Sequence, residues 1–418
     1  MQPILIKSAK VINAESKYNG TKQDILISEG KIVKIAKSII DKNATIINIK
    51  NLHVSNGWFD SSVSFGEPGF EERETIENGS DVASKSGFTG ILLNSNTKPV
   101  ADNQTDISFI KLKSKNSICN IYPLGALTIS SKSVEMAELF DMKNSGAVGF
   151  YDYKKPILNS NLLKTSLLYS QSFDSVIMSF PMDKLIAKNG IINEGKISVS
   201  YGVKGIPNFC EEIQINRDLH ILEYTGGKLH IPTISTKNSL DLIKKAKSKG
   251  LNVSCSVAIH NLIFNEEKLK DFDTRFKVLP PLRSEKDRLA LIKGVKNGEI
   301  DLVTSDHCPI DIENKKTDIY NAKFGTIGLE SFFGALNSLF TTEETIEILT
   351  KGREIFNIET IQFKEGSTAN LSLFTVDDEY EFSKENILSK SKNSAFLGFK
   401  MKGRPIGIIN SNKTCINE

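Results

Sequence analysis

Between residues 58 and 304, eight short β-rich runs alternate with amphipathic helical stretches, and this alternation narrows the fold more than any other feature. The runs are 58–60, 90–93, 121–124, 147–150, 176–178, 228–231, 252–256 and 302–304. Parallel neighbours in a sheet need a crossover long enough to hold a helix, so the pattern predicts repeated βα units. Eight such units predict an α/β fold of the TIM (β/α)8 type. Segment 239–250 illustrates a crossover: Leu240, Ile243 and Ala246 form one apolar stripe among lysines, and Gly250 ends it. In a barrel of this kind, functional side chains gather at the C-terminal ends of the strands and in the loops that follow.

Both ends of the chain read differently. Ile4-Leu5-Ile6 and Val11-Ile12 are short strands, and Ile25-Leu26-Ile27 is followed by the turn Ser28-Glu29-Gly30 and the alternating run Lys31-Ile32-Val33-Lys34-Ile35. Ala369–Phe374 and Gly403–Ile409 are again strand-like. These segments predict one discontinuous β-sandwich domain, 1–53 plus 360–418, beside a barrel spanning 54–359.

Composition removes several function classes. With 39% hydrophobic and 25% charged residues over 418 positions, the chain has the makings of a sizeable globular core. The formal charge of +3, from 53 basic and 50 acidic residues, supplies no footprint for nucleic acid. No apolar run reaches the roughly 18–20 residues of a membrane span, and residues 1–30 lack a signal core, so a cytoplasmic protein is expected. Cys119, Cys210, Cys255, Cys308 and Cys415 have no paired metal spacing and read as reduced, mostly buried thiols. No Gly-rich phosphate loop or hydrolytic triad is evident.

The segment Asn56-Gly57-Trp58-Phe59-Asp60-Ser61-Ser62-Val63-Ser64-Phe65-Gly66-Glu67-Pro68-Gly69 resembles the opening signature of the dihydroorotase branch of the cyclic amidohydrolases. The resemblance continues in order through Asn193-Glu194-Gly195, Gly205-Ile206-Pro207, Glu211-Glu212, Arg217-Asp218 and Thr225-Gly226-Gly227-Lys228-Leu229-His230-Ile231. It then runs through Pro280-Pro281-Leu282-Arg283, Thr304-Ser305-Asp306-His307-Cys308-Pro309 and Gly328-Leu329-Glu330. It implies an amidohydrolase-like barrel whose family members hold two metals. Their ligands are a His pair after strand 1, a bridging carboxylate or carboxylated lysine after strand 4, a His after each of strands 5 and 6, and an Asp after strand 8.

On this chain, the resemblance matches those positions to Ser62, Ser64, Asp152, Ser179, Thr233 and Asp306. Hydroxyls are poor substitutes for imidazole on zinc. The family's substrate contacts fall on Gly66, Asn96, Leu279 and Ile310, of which Asn96 alone keeps the family's residue type. His53, His220, His230, His260 and His307 read first as structural or inherited residues, and Asp60 as part of the hydrogen-bonding frame.

These replacements lead to the expectation of a catalytically inactive, metal-free relative with no cofactor. Such a chain would serve as a structural or regulatory partner of aspartate carbamoyltransferase, in a homodimer or with that enzyme. Two alternatives accompany it: an active cyclic-amide hydrolase with an atypical site, which would bring zinc back into consideration, and a small-ligand binding protein.

Overall fold

Residues 2–417 are described by the structure, a computed structural model. Each of the eight runs lies in or overlaps a strand: β1 (Trp58–Val63), β2 (Phe88–Leu93), β3 (Asn120–Pro123), β4 (Gly149–Tyr151), β5 (Val176–Met178), β6 (Lys228–Ile231), β7 (Val253–Ala258) and β8 (Leu302–Thr304). All pairings among them are parallel. They divide into a sheet β1-β2-β3 and a sheet β4-β5-β6-β7-β8. Two isolated parallel bridges join the edges of these sheets, Gly125 with Phe150 and Val63 with His307.

Every residue of β1 and β2 is buried, as expected of strands covered on both faces. Successive side chains nevertheless enter different apolar clusters. Phe59, Leu92, Tyr151, Met178 and Leu302 pack in one, whereas their neighbours Trp58, Ile91, Phe150, Ile177 and Val303 pack in another with the surrounding helices. The two-residue period of a strand thus sorts the side chains into an inner and an outer set.

The helix Lys237–Ser248 shows how the connections form. Thr236 caps it by accepting the Ser239 N–H at 3.1 Å, Leu240, Ile243 and Ala246 are buried, and Lys245 and Lys247 lie in the last turn where the dipole favours cations. Several family-like motifs meet in a second network. The Arg283 guanidinium donates to Asn193 Oδ1 at 2.9 Å, to the Ile206 carbonyl at 2.6 Å and to Ser235 Oγ at 3.0 Å, and it stands 3.7 Å from Glu211. These motif residues hold loops together rather than facing a reacting group.

A third sheet takes strands from both ends of the chain. Ile4–Val11, Lys22–Ser28, Lys31–Ala36, Thr45–Ile47 and His53–Asn56 join Asn370–Glu381, Lys400–Asn410 and Lys413–Ile416. The two short runs expected near residues 4–6 and 11–12 form one strand with an irregularity between Ile6 and Ala9. The polar break is bridged by Asp24, whose carboxylate accepts the N–H groups of Ser8 and Ile39, each at 2.8 Å, and pairs with Lys7. Among the described residues, no helix is long and apolar enough to cross a membrane.

Candidate active site

The carboxyl ends of β1 and β8 are tied by Asp60. Its buried carboxylate accepts the backbone N–H of Ser62 at 3.2 Å, that of Ser305 at 3.2 Å and the Thr304 hydroxyl. Burial pushes this carboxyl up to about 6, against the opposing pull of those hydrogen bonds. Asp60 is therefore a frame residue whose bonds aim the loop that follows β8.

Asp306 lies in that loop, 1% exposed and in the left-handed backbone region at φ 48°. Lys154 Nζ stands 2.7 Å from its Oδ2, and Ser62 Oγ donates to its Oδ1 at 3.2 Å. The chain of polar contacts continues through Asn94, whose Nδ2 donates to Ser62 Oγ and Ser64 Oγ, both at 3.2 Å. Burial raises the Asp306 carboxyl, and the Lys154 ammonium opposes the shift. The Tyr153 hydroxyl stands beside Asp306, Ser64 and Cys308 without a well-formed hydrogen bond.

The loop after β4 explains how Lys154 arrives. Asp152 turns away to accept the Thr128 N–H at 3.0 Å and the Thr128 hydroxyl, so the carboxylate matched to the bridging position faces another loop. Lys155 N–H closes a turn on the Asp152 carbonyl at 2.8 Å, and Lys154 adopts φ 53° while donating its own N–H to the Tyr151 hydroxyl at 3.1 Å. This reversal sends the Lys154 side chain, 10% exposed, back over the strand ends to Asp306. Lys154 was not among the residues singled out by sequence. The available signal was its place two residues beyond Asp152, in the loop that follows the fourth strand.

The other matched positions disperse. Ser179 donates to Asp218 Oδ2 at 2.6 Å, and Asp218 is also held by Arg217, so this serine belongs to a separate ion-pair cluster. Thr233, at φ 54°, donates its N–H to Ser256 Oγ at 3.1 Å, and its buried hydroxyl has no partner among the described residues. Asn96 likewise keeps a buried, unpartnered Oδ1. Leu279 and Ile310 pack with Tyr153 and Cys308 in the inner apolar cluster.

The histidines have distinct surroundings. His307 accepts the N–H groups of Gly328 at 3.1 Å and Leu329 at 3.3 Å on Nδ1, at the start of helix Leu329–Leu339, and burial lowers it to about 3. His230 lies between Ser254 and Ser256 at 2.8 and 3.2 Å. His260 is buried with neither ring nitrogen partnered among the described residues, and burial together with nearby Lys154 and Lys315 holds it well below the usual imidazole range. It is a neutral imidazole near the Lys154–Asp306 pair.

Gly66 has a steric explanation. A Cβ there would lie 1.8 Å from the Phe70 carbonyl oxygen, in a loop already closed by Gly66 N–H to Glu74 O and Phe70 N–H to Gly66 O, both at 2.9 Å. Gly66→Ala should lower stability by roughly 3 kcal/mol, since backbone must shift to admit the methyl. Thermal melting with an unchanged midpoint would show that this loop opens at little cost.

The donor set does not fit a two-metal centre. Among the described residues, no group of three or more His, Cys, Asp or Glu side chains is placed to hold a metal ion. Asp152 is committed to Thr128, the hydroxyls of Ser62 and Ser64 are hydrogen-bonded, and an ammonium already faces Asp306.

Comparison with known proteins places this geometry. Residues 53–239 match a family model described as Dihydro-orotase-like. A protein named Dihydroorotase from Acetivibrio thermocellus is 36% identical over 408 residues, covering 96% of each chain. One of the same name from Caldicellulosiruptor saccharolyticus is 38% identical over 406 residues, covering 94% of each. Among solved structures, the L-hydantoinase (dihydropyrimidinase) from Arthrobacter aurescens superposes with a TM-score of 0.86 at 22% identity, over 100% of this chain and 96% of that one. A D-hydantoinase (dihydropyrimidinase) from Thermus sp. gives 0.81 at 19% identity, over 99% and 95%. These two likenesses concern the fold.

The relatives correct two expectations. An inactive chain kept only as a partner does not stand against relatives named Dihydroorotase that match along nearly the whole chain, and the active alternative with an atypical site is favoured instead. The expectation of no cofactor, drawn from the hydroxyls at 62, 64, 179 and 233, is overturned by the same relatives, because the resemblance describes this family as one that holds metals. The side chains at the strand ends do not by themselves supply such a centre. With its match along nearly its full length to proteins of that name, the chain belongs to the dihydroorotase family of amidohydrolases.

Proposed function

We propose that the chain hydrolyses and forms a ring C–N bond in a cyclic amide of the dihydroorotase type, in pyrimidine biosynthesis. The site lies at the mouth of a (β/α)8 barrel. Support for the barrel is the order β1 to β8, the two bridges joining the sheet edges and the sorting of alternate side chains into inner and outer clusters. The observation that carries the functional reading is the buried Lys154–Asp306 pair with Ser62, located where such barrels place their chemistry.

These groups suit amide hydrolysis in a specific way. Asp306 takes a proton from water as the water oxygen adds to the amide carbonyl carbon, and the Lys154 ammonium stabilises the negative charge that collects on the carbonyl oxygen. The C–N bond then breaks, and the proton held by Asp306 passes to the leaving nitrogen. Burial makes Asp306 a stronger base than a free aspartate, and Ser62 fixes the carboxylate in place. Asp306 is almost wholly enclosed, so a ring reaches it only when neighbouring side chains move aside. The unpartnered nitrogens of His260 and the unpartnered Thr233 hydroxyl offer hydrogen bonds to the polar edge of such a ring.

The test is interconversion of dihydroorotate and carbamoyl-aspartate, with hydantoin and dihydrouracil as other rings and zinc in the buffer throughout. Asp306→Asn should lower kcat/KM by about 10²–10⁴-fold, the usual contribution of a positioned base. The proposal fails if no ring is turned over faster by the native protein than by Asp306→Asn.

A further inference from the structure

A recess of about 890 Å³ opens beside the strand-8 loop, within the size range of small-molecule sites. Its walls come from the segments around residues 72, 273–275, 310–316 and 384–393, so four distant parts of the chain meet there. Ile310 lines it and also packs with Tyr153 and Cys308 in the inner apolar cluster, which brings the recess up against the Lys154–Asp306 site.

The charges around this recess are not balanced. Arg275 is paired with Asp273 at 2.6 Å, and Asp311 and Glu72 both face Arg73, at 3.3 and 3.6 Å. Glu313 is the remaining carboxylate of the lining, against Lys315, Lys316, Lys384, Lys390 and Lys392.

Three of these ammoniums are held by backbone carbonyls and not by carboxylates. Lys390 Nζ donates to the Glu71 carbonyl at 2.7 Å, and Lys392 Nζ to those of Ile387 and Ser389 at 2.9 and 2.7 Å. Lys315 Nζ, in a residue 4% exposed, donates to the carbonyls of Lys277 and Lys323 at 2.9 and 3.0 Å. A carbonyl orients an ammonium without neutralising it, so these hydrogen bonds fix Lys390 and Lys392 in the lining of the recess with no carboxylate cancelling their charge.

We propose that this recess binds a small soluble polyanion carrying two or more phosphate or carboxylate groups. Such a ligand would supply the counter-charge that the lining lacks. It would also relieve Lys315, which burial and the neighbouring cations Lys277 and Lys154 lower to about 7.

Isothermal titration of the full chain with inorganic pyrophosphate at low salt, and with citrate as the carboxylate counterpart, tests it. The double variant Lys390→Gln/Lys392→Gln should weaken binding by about tenfold or more, equivalent to losing part of two charge-assisted contacts. The exposed pair Lys34→Gln/Lys37→Gln, on and beside the strand Lys31–Ala36 of the terminal sheet, should leave it unchanged. Equal binding of citrate and pyrophosphate identifies a general polyanion site; binding of pyrophosphate alone identifies a phosphate site. The proposal is overturned if neither probe binds the native chain, if the recess pair has no effect or if the control pair weakens binding equally. Displacement of pyrophosphate by phosphatidylserine vesicles would replace the soluble ligand with a lipid headgroup.

Discussion

Lys154→Met should destabilise the folded chain by about 3–5 kcal/mol at neutral pH, the usual cost of removing one partner from a buried ion pair. Asp306 is 1% exposed, and in the variant its carboxylate would keep the Ser62 hydroxyl but lose its ammonium. Removing both charges, as Lys154→Met/Asp306→Leu, should recover most of the loss, because the cost lies in stranding a carboxylate rather than in losing an attraction. Guanidinium titrations of the two single variants and the double variant give the coupling directly.

The pH dependence of the Lys154→Met variant provides a second check with a definite sign. Burial already raises Asp306 above a free aspartate, and Lys154 is the largest influence opposing that rise. Without the lysine, the folded state holds the Asp306 proton more tightly than the unfolded state does. Stability should therefore fall as pH rises from the free-aspartate range toward neutrality. A variant that loses less than about 1 kcal/mol at neutral pH, with no slope in acid, would show that water or another cation reaches Asp306.

Trp58→Ala should cost a similar amount, about 3–5 kcal/mol, through the cavity it leaves. Trp58 is fully buried at the start of β1 and is the chain's single tryptophan. Its ring stacks on Phe333 with centroids 4.7 Å apart, tilts against Phe374 at 5.4 Å and meets the edge of Phe88 at 6.0 Å, while Nε1 donates to Ser55 Oγ at 3.0 Å. Those partners belong to the helix Leu329–Leu339, the terminal-sheet strand Asn370–Glu381 and β2, so one side chain joins the parallel strands to the sheet built from the chain ends. Circular dichroism should show a lower denaturation midpoint for Trp58→Ala, with much of the loss restored in Trp58→Phe. An unchanged midpoint would mean that the phenylalanines collapse into the space and that the join does not depend on the indole.

The inactive reading is overturned by relatives named Dihydroorotase that match along nearly the whole chain. Hydroxyls at positions 62, 64, 179 and 233 are a fact about four residues and leave open which other groups the fold brings to the same place. Lys154 was missed in that inventory because the position after the fourth strand was matched to Asp152, two residues earlier. Asp152 was visible but aimed elsewhere, since its direction depends on Thr128, 24 residues away.

What the linear order determined by itself was local. Apolar periodicity located the eight strands and the stripe of the 237–248 helix, because the alternation of side chains along a strand and the turn of a helix are properties of neighbouring residues. The turn at Ser28-Glu29-Gly30 was legible for the same reason, with Glu29 and Gly30 both at positive φ. Only the tertiary structure decided that Ser62, Asn94, Lys154 and Asp306 share one hydrogen-bonded chain and that Ser179 leaves it for Asp218. It also decided that no side chain fits at Gly66, where the Phe70 carbonyl occupies the space. These outcomes depend on distances between residues far apart in the chain, which are set when the strands pack and the loops close over their ends.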